Sequence, residues 1–335
     1  MNLNDSFEIN HNSFTFIEYE FLNKQMKQIF LSILLFLLIA SAILGQTKKI
    51  CITVDDLPVV SYGVQDTGYS QKVIQGIVLA ATKHKIPLIG YVVEGTMYTD
   101  EKIDLFKVRL LEYWVNHGYD LGNHTYSHMD YNNVTVADYT ADIVKGEQIT
   151  RALLKNHNKT LMYFRHPYLH TGATKALSDS LIHVLDSLHY VSAPVTIDND
   201  DYVFANAYHQ AYMRKDRAEM RYIGKEYIAY MKRKLIHIEN VSSILLHRSI
   251  AQTLLIHASL LNSDYLTDLI AMYKKHGYTC ISQHEVMQDE AYLQPVLWYS
   301  KKGNSWLYRW ANKDLAAELM IGDPEVPEKI DNLLK

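Results

Sequence analysis

The run LGNHTYSHMD, residues 121–130, sets His124 and His128 four residues apart among small and polar neighbours. On a helical turn, such a pair can share one metal ion. The chain holds 16 histidines, enough for this spacing to arise by accident, and two solvated residues on one helix face are the alternative for a pair that stands alone. A catalytic metal needs a third ligand, and an oxygen donor leaves one coordination position open. Asp55 and Asp56, in KKICITVDDLP, can supply it. Adjacent carboxylates repel unless a cation lies beside them. Neighbours on a strand point to opposite faces. The turn at Leu57 and Pro58 lets one of the two reach a metal and the other a water, with a plain turn or cap as the alternative. Two imidazoles and one carboxylate suit Zn²⁺, and also Co²⁺, Ni²⁺ or Fe²⁺. Water on such an ion has a pKa of about 7 and can attack a carbonyl at neutral pH.

These residues need a scaffold that brings them together. Lys49–Val54 reads as a short buried strand, and helical periodicity follows in YSQKVIQGIVLAATKHKI. PLIGYVVEG is a second strand, and IDLFKVRLLEYWVNHG is a helix that Gly118 can stop. YDLGNH is a third strand. TVADYTADIVKGEQITRALL reads as one helix with Thr135 as N-cap. LMYFRHPYLHTG is a strand into a loop, ATKALSDSLIHVLDSLHY a helix, and VSAPVTIDNDDY a strand and loop. Residues 207–249 read as one long helical stretch. QTLLIHAS is a strand, NSDYLTDLIAMYKKHG a helix capped by Asn262 or Ser263, and YTCISQHEVM a last strand into a helix.

Alternation of strand and helix predicts parallel strands with right-handed crossovers, in an open sheet or a barrel. In such folds the site lies at the carboxyl ends of the strands. Asp55, Asp56, His124, Arg165, Asp198 to Asp201 and His257 all fall just after an expected strand. Polar residues scattered over 200 positions therefore converge on one rim.

Other features bound the reading. A net charge of −4, with no basic stripe, argues against a nucleic-acid partner. Lys24 and Lys27, the apolar run 29–44 and Gly45 read as an export signal, with Met26 as an alternative start and an uncleaved membrane anchor as the competing reading. The expected location is therefore outside the cytoplasm, periplasmic or extracellular. Cys51 and Cys280 lie in apolar stretches without metal-site spacing and are expected as buried free thiols. The expected division is residues 1–45 as upstream extension and signal, 46–292 as the catalytic domain, and 293–335 as an extension packing on it. The tryptophans of that extension either line a glycan groove or anchor it to the core.

In order and rough spacing, TVDD at 53–56, HTYSH at 124–128, RHPY at 165–168, DNDDY at 198–202 and LIH at 255–257 resemble the five motifs of the polysaccharide deacetylases. This is the NodB-homology group, carbohydrate esterase family 4, and the resemblance covers about residues 48–290. It implies an α/β fold, a distorted (β/α) barrel of the NodB type. It also implies one divalent metal, zinc foremost, held by Asp56, His124 and His128. Asp55 would be the general base, held ionised by Arg165. His257 would be the general acid, kept protonated and turned by Asp201. The N–H of Tyr168 would stabilise the oxyanion, and Pro167, Tyr168, Tyr202 and Leu255 would contact substrate.

The pattern departs from the family at Leu57 for Gly, at His166 for Pro and at Tyr202 for Trp, with LHTG following Tyr168. These changes bear on substrate more than on reaction, and Leu57 is expected to narrow or reshape the groove. His247, in ILLHRS, competes for the acid role, but His257 follows a strand and is preferred. Asp198 and Asp200 compete with Asp201, and His170 lies close enough to the third motif to touch substrate. The expected activity is removal of N-acetyl groups from an amino-sugar polymer: peptidoglycan, a chitin-type oligomer or an exopolysaccharide. An O-acetyl glycan esterase and a catalytically silent glycan binder are the alternatives.

Overall fold

A computed structural model describes residues 19, 21–32 and 48–334. The chain divides into two compact units, Met1–Thr47 and Lys48–Lys335. In the first, residues 21–32 form a helix with exposed side chains. Residues 33–45, most of the expected signal run and its cleavage point, lie outside the described residues. Among the described residues, no helix is long and apolar enough to cross a membrane.

The second unit is built on a sheet of seven parallel strands among the described residues. These are β1 (Lys48–Leu57), β2 (Ile89–Val92), β3 (Asp120–Asn123), β4 (Tyr163–Phe164), β5 (Val191–Ser192), β6 (Gln252–His257) and β7 (Tyr278–Cys280). Their order is β5-β4-β3-β2-β1-β6, and β7 pairs with the first residues of β1. The sheet curves into a half-barrel surrounded by helices. Ile50 to Val54 of β1 are all buried, as a central strand covered on both faces requires.

The helices are α1 (Thr67–His84), α2 (Leu105–Asn116), α3 (Val136–Lys145), α4 (Gln148–Asn156), α5 (Lys175–Ser187), α6 (Asp201–Met213), α7 (Arg217–Leu246) and α8 (Leu260–Lys275). Thr135 caps α3 by accepting from the N–H of Asp138.

Three expectations need correction. The single helix over 135–154 is two, broken at Gly146 and Glu147. The long stretch from residue 207 also divides, because α6 ends at Met213 and Asp216 caps a new helix by accepting from Ala218 and Glu219. Ser259, not Asn262 or Ser263, is the N-cap of α8.

Cys51 is buried and Cys280 half-buried, and both are free. The segment from residue 293 belongs to the second compact unit. Its Trp306, Leu307, Tyr308, Arg309 and Trp310 are buried. The Trp306 N–H donates to the Val195 carbonyl at 2.8 Å, and the Ser305 hydroxyl to that of Thr196 at 2.7 Å. Burial of each large apolar side chain contributes about 2–3 kcal/mol of transfer free energy. Trp306 and Trp310 thus anchor this segment to the core.

Candidate active site

Irregular backbone at the end of β1 puts two carboxylates on one rim. β1 pairs with β2 at Val54–Gly90 and again at Leu57–Val92, so β1 gains one residue on its partner. This is a β-bulge, which locally re-aims side chains. Asp56 takes a φ of 61°, a left-handed conformation that Asp tolerates better than most residues. Strand alternation fails there, and both acids approach His124. The Nε2 atom of His124 lies 3.9 Å from Asp55 Oδ2 and 3.6 Å from Asp56 Oδ1. Leu57, which stands where the family has Gly, is fully buried against Gly90.

The HTYSH segment is not a helical turn. It is a loop beyond β3, with left-handed Thr125 (φ 66°) and His128 (φ 55°). The loop brings the two imidazoles to 4.8 Å between centroids. Asp142 of α3 pins it, accepting from the Ser127 N–H at 3.1 Å and the Ser127 hydroxyl at 2.8 Å. A Cβ at residue 146 would stand 2.3 Å from the Thr125 carbonyl carbon, so only glycine lets α3 end against this loop.

A divalent cation fits here. One ligand atom each from Asp56, His124 and His128 lies within 4.8 Å of the others. Asp56 Oδ1 is buried with no hydrogen-bond partner, and it lies 3.5 Å from His128 Nε2. The Nδ1 of His124 contacts the Arg165 carbonyl at 2.8 Å, which must receive its proton and leaves Nε2 with the lone pair. Burial lowers the pKa of both histidines, with the charge of His128 adding to the effect on His124. Two neutral imidazoles and an orphaned carboxylate oxygen form a donor set for such an ion.

Asp55 lies beside this set. Arg165, fully buried, holds a guanidinium nitrogen 3.6 Å from Asp55 Oδ2, stacks over the Tyr91 ring and donates to the Thr53 hydroxyl at 3.1 Å. Arg165 favours the ionised carboxylate, as expected, but does not dominate. Burial raises Asp55 to about 6 against the pull of Arg165 and His257. Its Oδ1 has no hydrogen-bond partner.

His257 ends β6. Its Nδ1 is 2.6 Å from Asp201 Oδ1, and its backbone N–H donates to Asp201 Oδ2 at 2.9 Å. Burial alone would lower the imidazole pKa, but the charge and hydrogen bond of Asp201 outweigh it, with Asp56 and Asp55 adding, and the result is about 10. Asp200 instead bonds the Tyr230 hydroxyl at 3.0 Å. His247 caps the far end of α7 with a φ of 56°.

Sequence reading missed Asn262, which is fully buried. Its amide donates to Asp201 Oδ2 at 2.7 Å and to the His257 carbonyl at 2.8 Å, while its oxygen accepts from Tyr227 at 2.8 Å. The available signal was one amide in the apolar run ASLLNS, five residues beyond His257.

Four residues were expected to touch substrate, and two present exposed rings. The Tyr168 ring meets His128 edge-on at 4.5 Å, and that of Tyr202 meets His257 at 6.4 Å. Pro167 and Leu255 are buried. His170 bonds Asp130 at 2.7 Å. His166 is buried away from these groups, between the Ser192 hydroxyl and the Trp306 ring, and burial pushes it down to about 3.

Residues 45–188 match the family model described as polysaccharide deacetylase. Comparison with curated proteins finds no match. Among solved structures, the chain is similar to a mutant CE4 family pseudoenzyme with restored activity (14% identity, TM-score 0.47, covering 72% of this chain and 68% of that one). It is similar to the peptidoglycan deacetylase PdaC from Bacillus subtilis at 15% identity and a TM-score of 0.43, covering 72% and 93% of the two chains. A third is the Xyl-CE4 domain of a multidomain xylanase from the hindgut metagenome of Trinervitermes trinervoides, at 15% identity and 0.43, covering 77% and 100%. Over residues 45–188, less than half of its length, the chain is thus similar to the polysaccharide deacetylase family.

Proposed function

We propose that the chain is a metal-dependent hydrolase that removes N-acetyl groups from an amino-sugar polysaccharide such as peptidoglycan, a chitin-type oligomer or an exopolysaccharide. One observation carries this reading. A base, Asp55, and an acid, His257, stand at the ends of paired strands beside the Asp56–His124–His128 donor set. When bound there, a zinc ion supplies Lewis acidity toward the acetamide carbonyl and toward water.

The side chains of the chain itself supply the proton movements. Asp55, ionised above about pH 6, takes a proton from the attacking water through its unpartnered Oδ1. Arg165 holds Asp55 from the opposite oxygen, Oδ2. His257, charged up to about pH 10, gives a proton from Nε2 to the leaving nitrogen as the C–N bond breaks. Asp201 occupies Nδ1 and so makes Nε2 the available donor. The Tyr168 N–H donates to the developing oxyanion. The rings of Tyr168 and Tyr202 offer faces for the sugars on either side of the scissile amide. Products are acetate and a free amine. We further propose that the protein acts outside the cytoplasm, on the strength of the charged-then-apolar segment 24–45.

The test is acetate release from N-acetylated and O-acetylated glycans, with and without chelator and with zinc restored. Chelator-sensitive release from an N-acetylated glycan is expected. Release from O-acetylated glycans alone would replace this reading with the esterase, and metal binding without release would replace it with a glycan binder.

A further inference from the structure

The C-terminal segment, outside the residues matched to the family, reaches the two loops that flank the donor set. Arg309 is fully buried yet forms no ion pair at salt-bridge distance among the described residues. Its guanidinium is spent on backbone and hydroxyl oxygens. It donates to the Leu169 carbonyl at 2.8 Å and the Thr171 hydroxyl at 3.0 Å, and to the carbonyls of Lys302 and Asn304 at 3.3 Å each. Its Cζ lies 5.1 Å from the Trp306 ring centre. One buried fork thus ties the loop after Tyr168 to the segment at 302–304.

Gly303 makes the contact closer still. A Cβ there would lie 1.9 Å from the Tyr168 carbonyl oxygen and 3.2 Å from Leu169 Cβ. The backbone at 303 therefore rests directly on the Tyr168–Leu169 peptide, on the carbonyl side of Tyr168. Tyr168 and Leu169 both take a φ of 55°, a strained conformation that persists only where the surroundings impose it. On the other side, the Asn132 amide donates to the Lys301 carbonyl at 2.8 Å, joining the same segment to the loop that follows His128.

We propose that residues 301–309 form a clamp that fixes the Tyr168 backbone from its carbonyl side, and that Gly303 and Arg309 are positioning residues that orient the Tyr168 N–H, the oxyanion donor, through the φ and ψ of Tyr168. This rests on the deacetylase reading above, since the donor role of the Tyr168 N–H belongs to it. The segment is then part of the active site without touching substrate. A donor acts on an oxyanion only when held at hydrogen-bond distance from where the charge develops, so a rotation of the Tyr168 backbone that displaces its N–H costs turnover more than substrate binding.

The experiment uses the full chain and three variants. In Gly303→Ala, amide hydrogen exchange over residues 169–171 should quicken at least tenfold, given as an order of magnitude for lost local protection. Its kcat should fall about tenfold, with KM within about threefold and zinc content unchanged. Arg309→Gln should act in the same direction, and Arg309→Lys should restore little, because an ammonium cannot reproduce the fork. Asp323→Asn is the control. Asp323 lies outside residues 301–309; its change weakens the tie to Lys234 on α7 and the bond from the Tyr308 hydroxyl, reaches neither loop, and should lower Tm with kcat within about twofold. Unchanged exchange over 169–171 in Gly303→Ala overturns the clamp. Faster exchange with wild-type kcat overturns the positioning role, as does a kcat loss in Asp323→Asn equal to that in Gly303→Ala. A wild type that releases no acetate from any glycan refutes the deacetylase reading instead, and the exchange result alone then decides the clamp.

Discussion

Asp55 and His257 are register partners across β1 and β6, the last pair of that parallel ladder. The proposed base and acid therefore start from backbones one strand spacing apart, about 4.8 Å. That spacing belongs to the sheet and not to a loop. The fold holds these two side chains in fixed relation while the candidate donor set sits on irregular backbone beside them.

Asp55→Asn removes the base and keeps shape and volume. Turnover should fall about 10²–10⁴-fold, the usual worth of a positioned base. Metal content by elemental analysis should match wild type, because Asp55 is not in the donor set. A variant with wild-type kcat would remove Asp55 from the proton path.

His128→Ala deletes one of the three proposed ligands. Zinc content and activity should both drop to background, with little change in Tm because the side chain stands on a partly exposed loop. Stoichiometric zinc after dialysis would end the ligand assignment.

The pH profile follows from the two proton carriers. Activity needs Asp55 charged and rises with pH through about 6, or lower when a bound dication favours the carboxylate. It needs His257 charged and falls as pH rises through about 10. In Asp201→Asn the alkaline limb should move down by about 1–3 pH units, the effect of one close opposite charge. The matching stability contribution of His257 is full below its unfolded pKa, about 6.5, and is lost as pH rises through about 10. An alkaline limb that Asp201→Asn does not move would remove His257 as the titrating acid.

Asn262→Leu fills the space but leaves Asp201 one donor short and the Tyr227 hydroxyl without its acceptor. Loss of about 1–3 kcal/mol in unfolding free energy is expected from the buried unpaired groups. The alkaline limb should also shift, since Asp201 is freed to turn. Denaturant titration and the pH–rate profile together separate a packing residue, which moves only the first, from one that orients the acid.

Gly146→Val should push the Thr125–Tyr126 backbone away and disturb the loop carrying both histidines. Zinc affinity should weaken about 10–100-fold, as for other losses of ligand support. Competition with a chromophoric chelator measures it. Unchanged affinity would show that the loop holds its shape without α3.

Strand–helix alternation was legible because parallel strands are continuous apolar runs, and the rim followed from it. Positions governed by left-handed backbone were not. Nothing in HTYSH marks Thr125 or His128 for positive φ, so an i, i+4 spacing read as a helical turn. The breaks after Lys145 and Met213 contain no proline, and a glycine or a charged pair is tolerated inside helices. Asp201 was not separable from Asp198 and Asp200, since the choice depends on which carboxylate meets a strand 56 residues further on. Asn262 read as a cap because Asn is a good one, while Ser259 fills that role. Gly303 and Arg309 carry no motif, and only the fold shows what they reach.

Three of the four tryptophans, Trp298, Trp306 and Trp310, lie in the C-terminal strap, the segment from residue 293. Trp306 stacks against His166 and lies beside the Arg309 guanidinium. The intrinsic fluorescence of the protein is therefore weighted toward one structural event, the seating of this segment. Emission that shifts to the red before the far-ultraviolet circular dichroism changes would report the strap lifting while the sheet stays intact, so an unlabelled sample already carries its own optical gauge of that state.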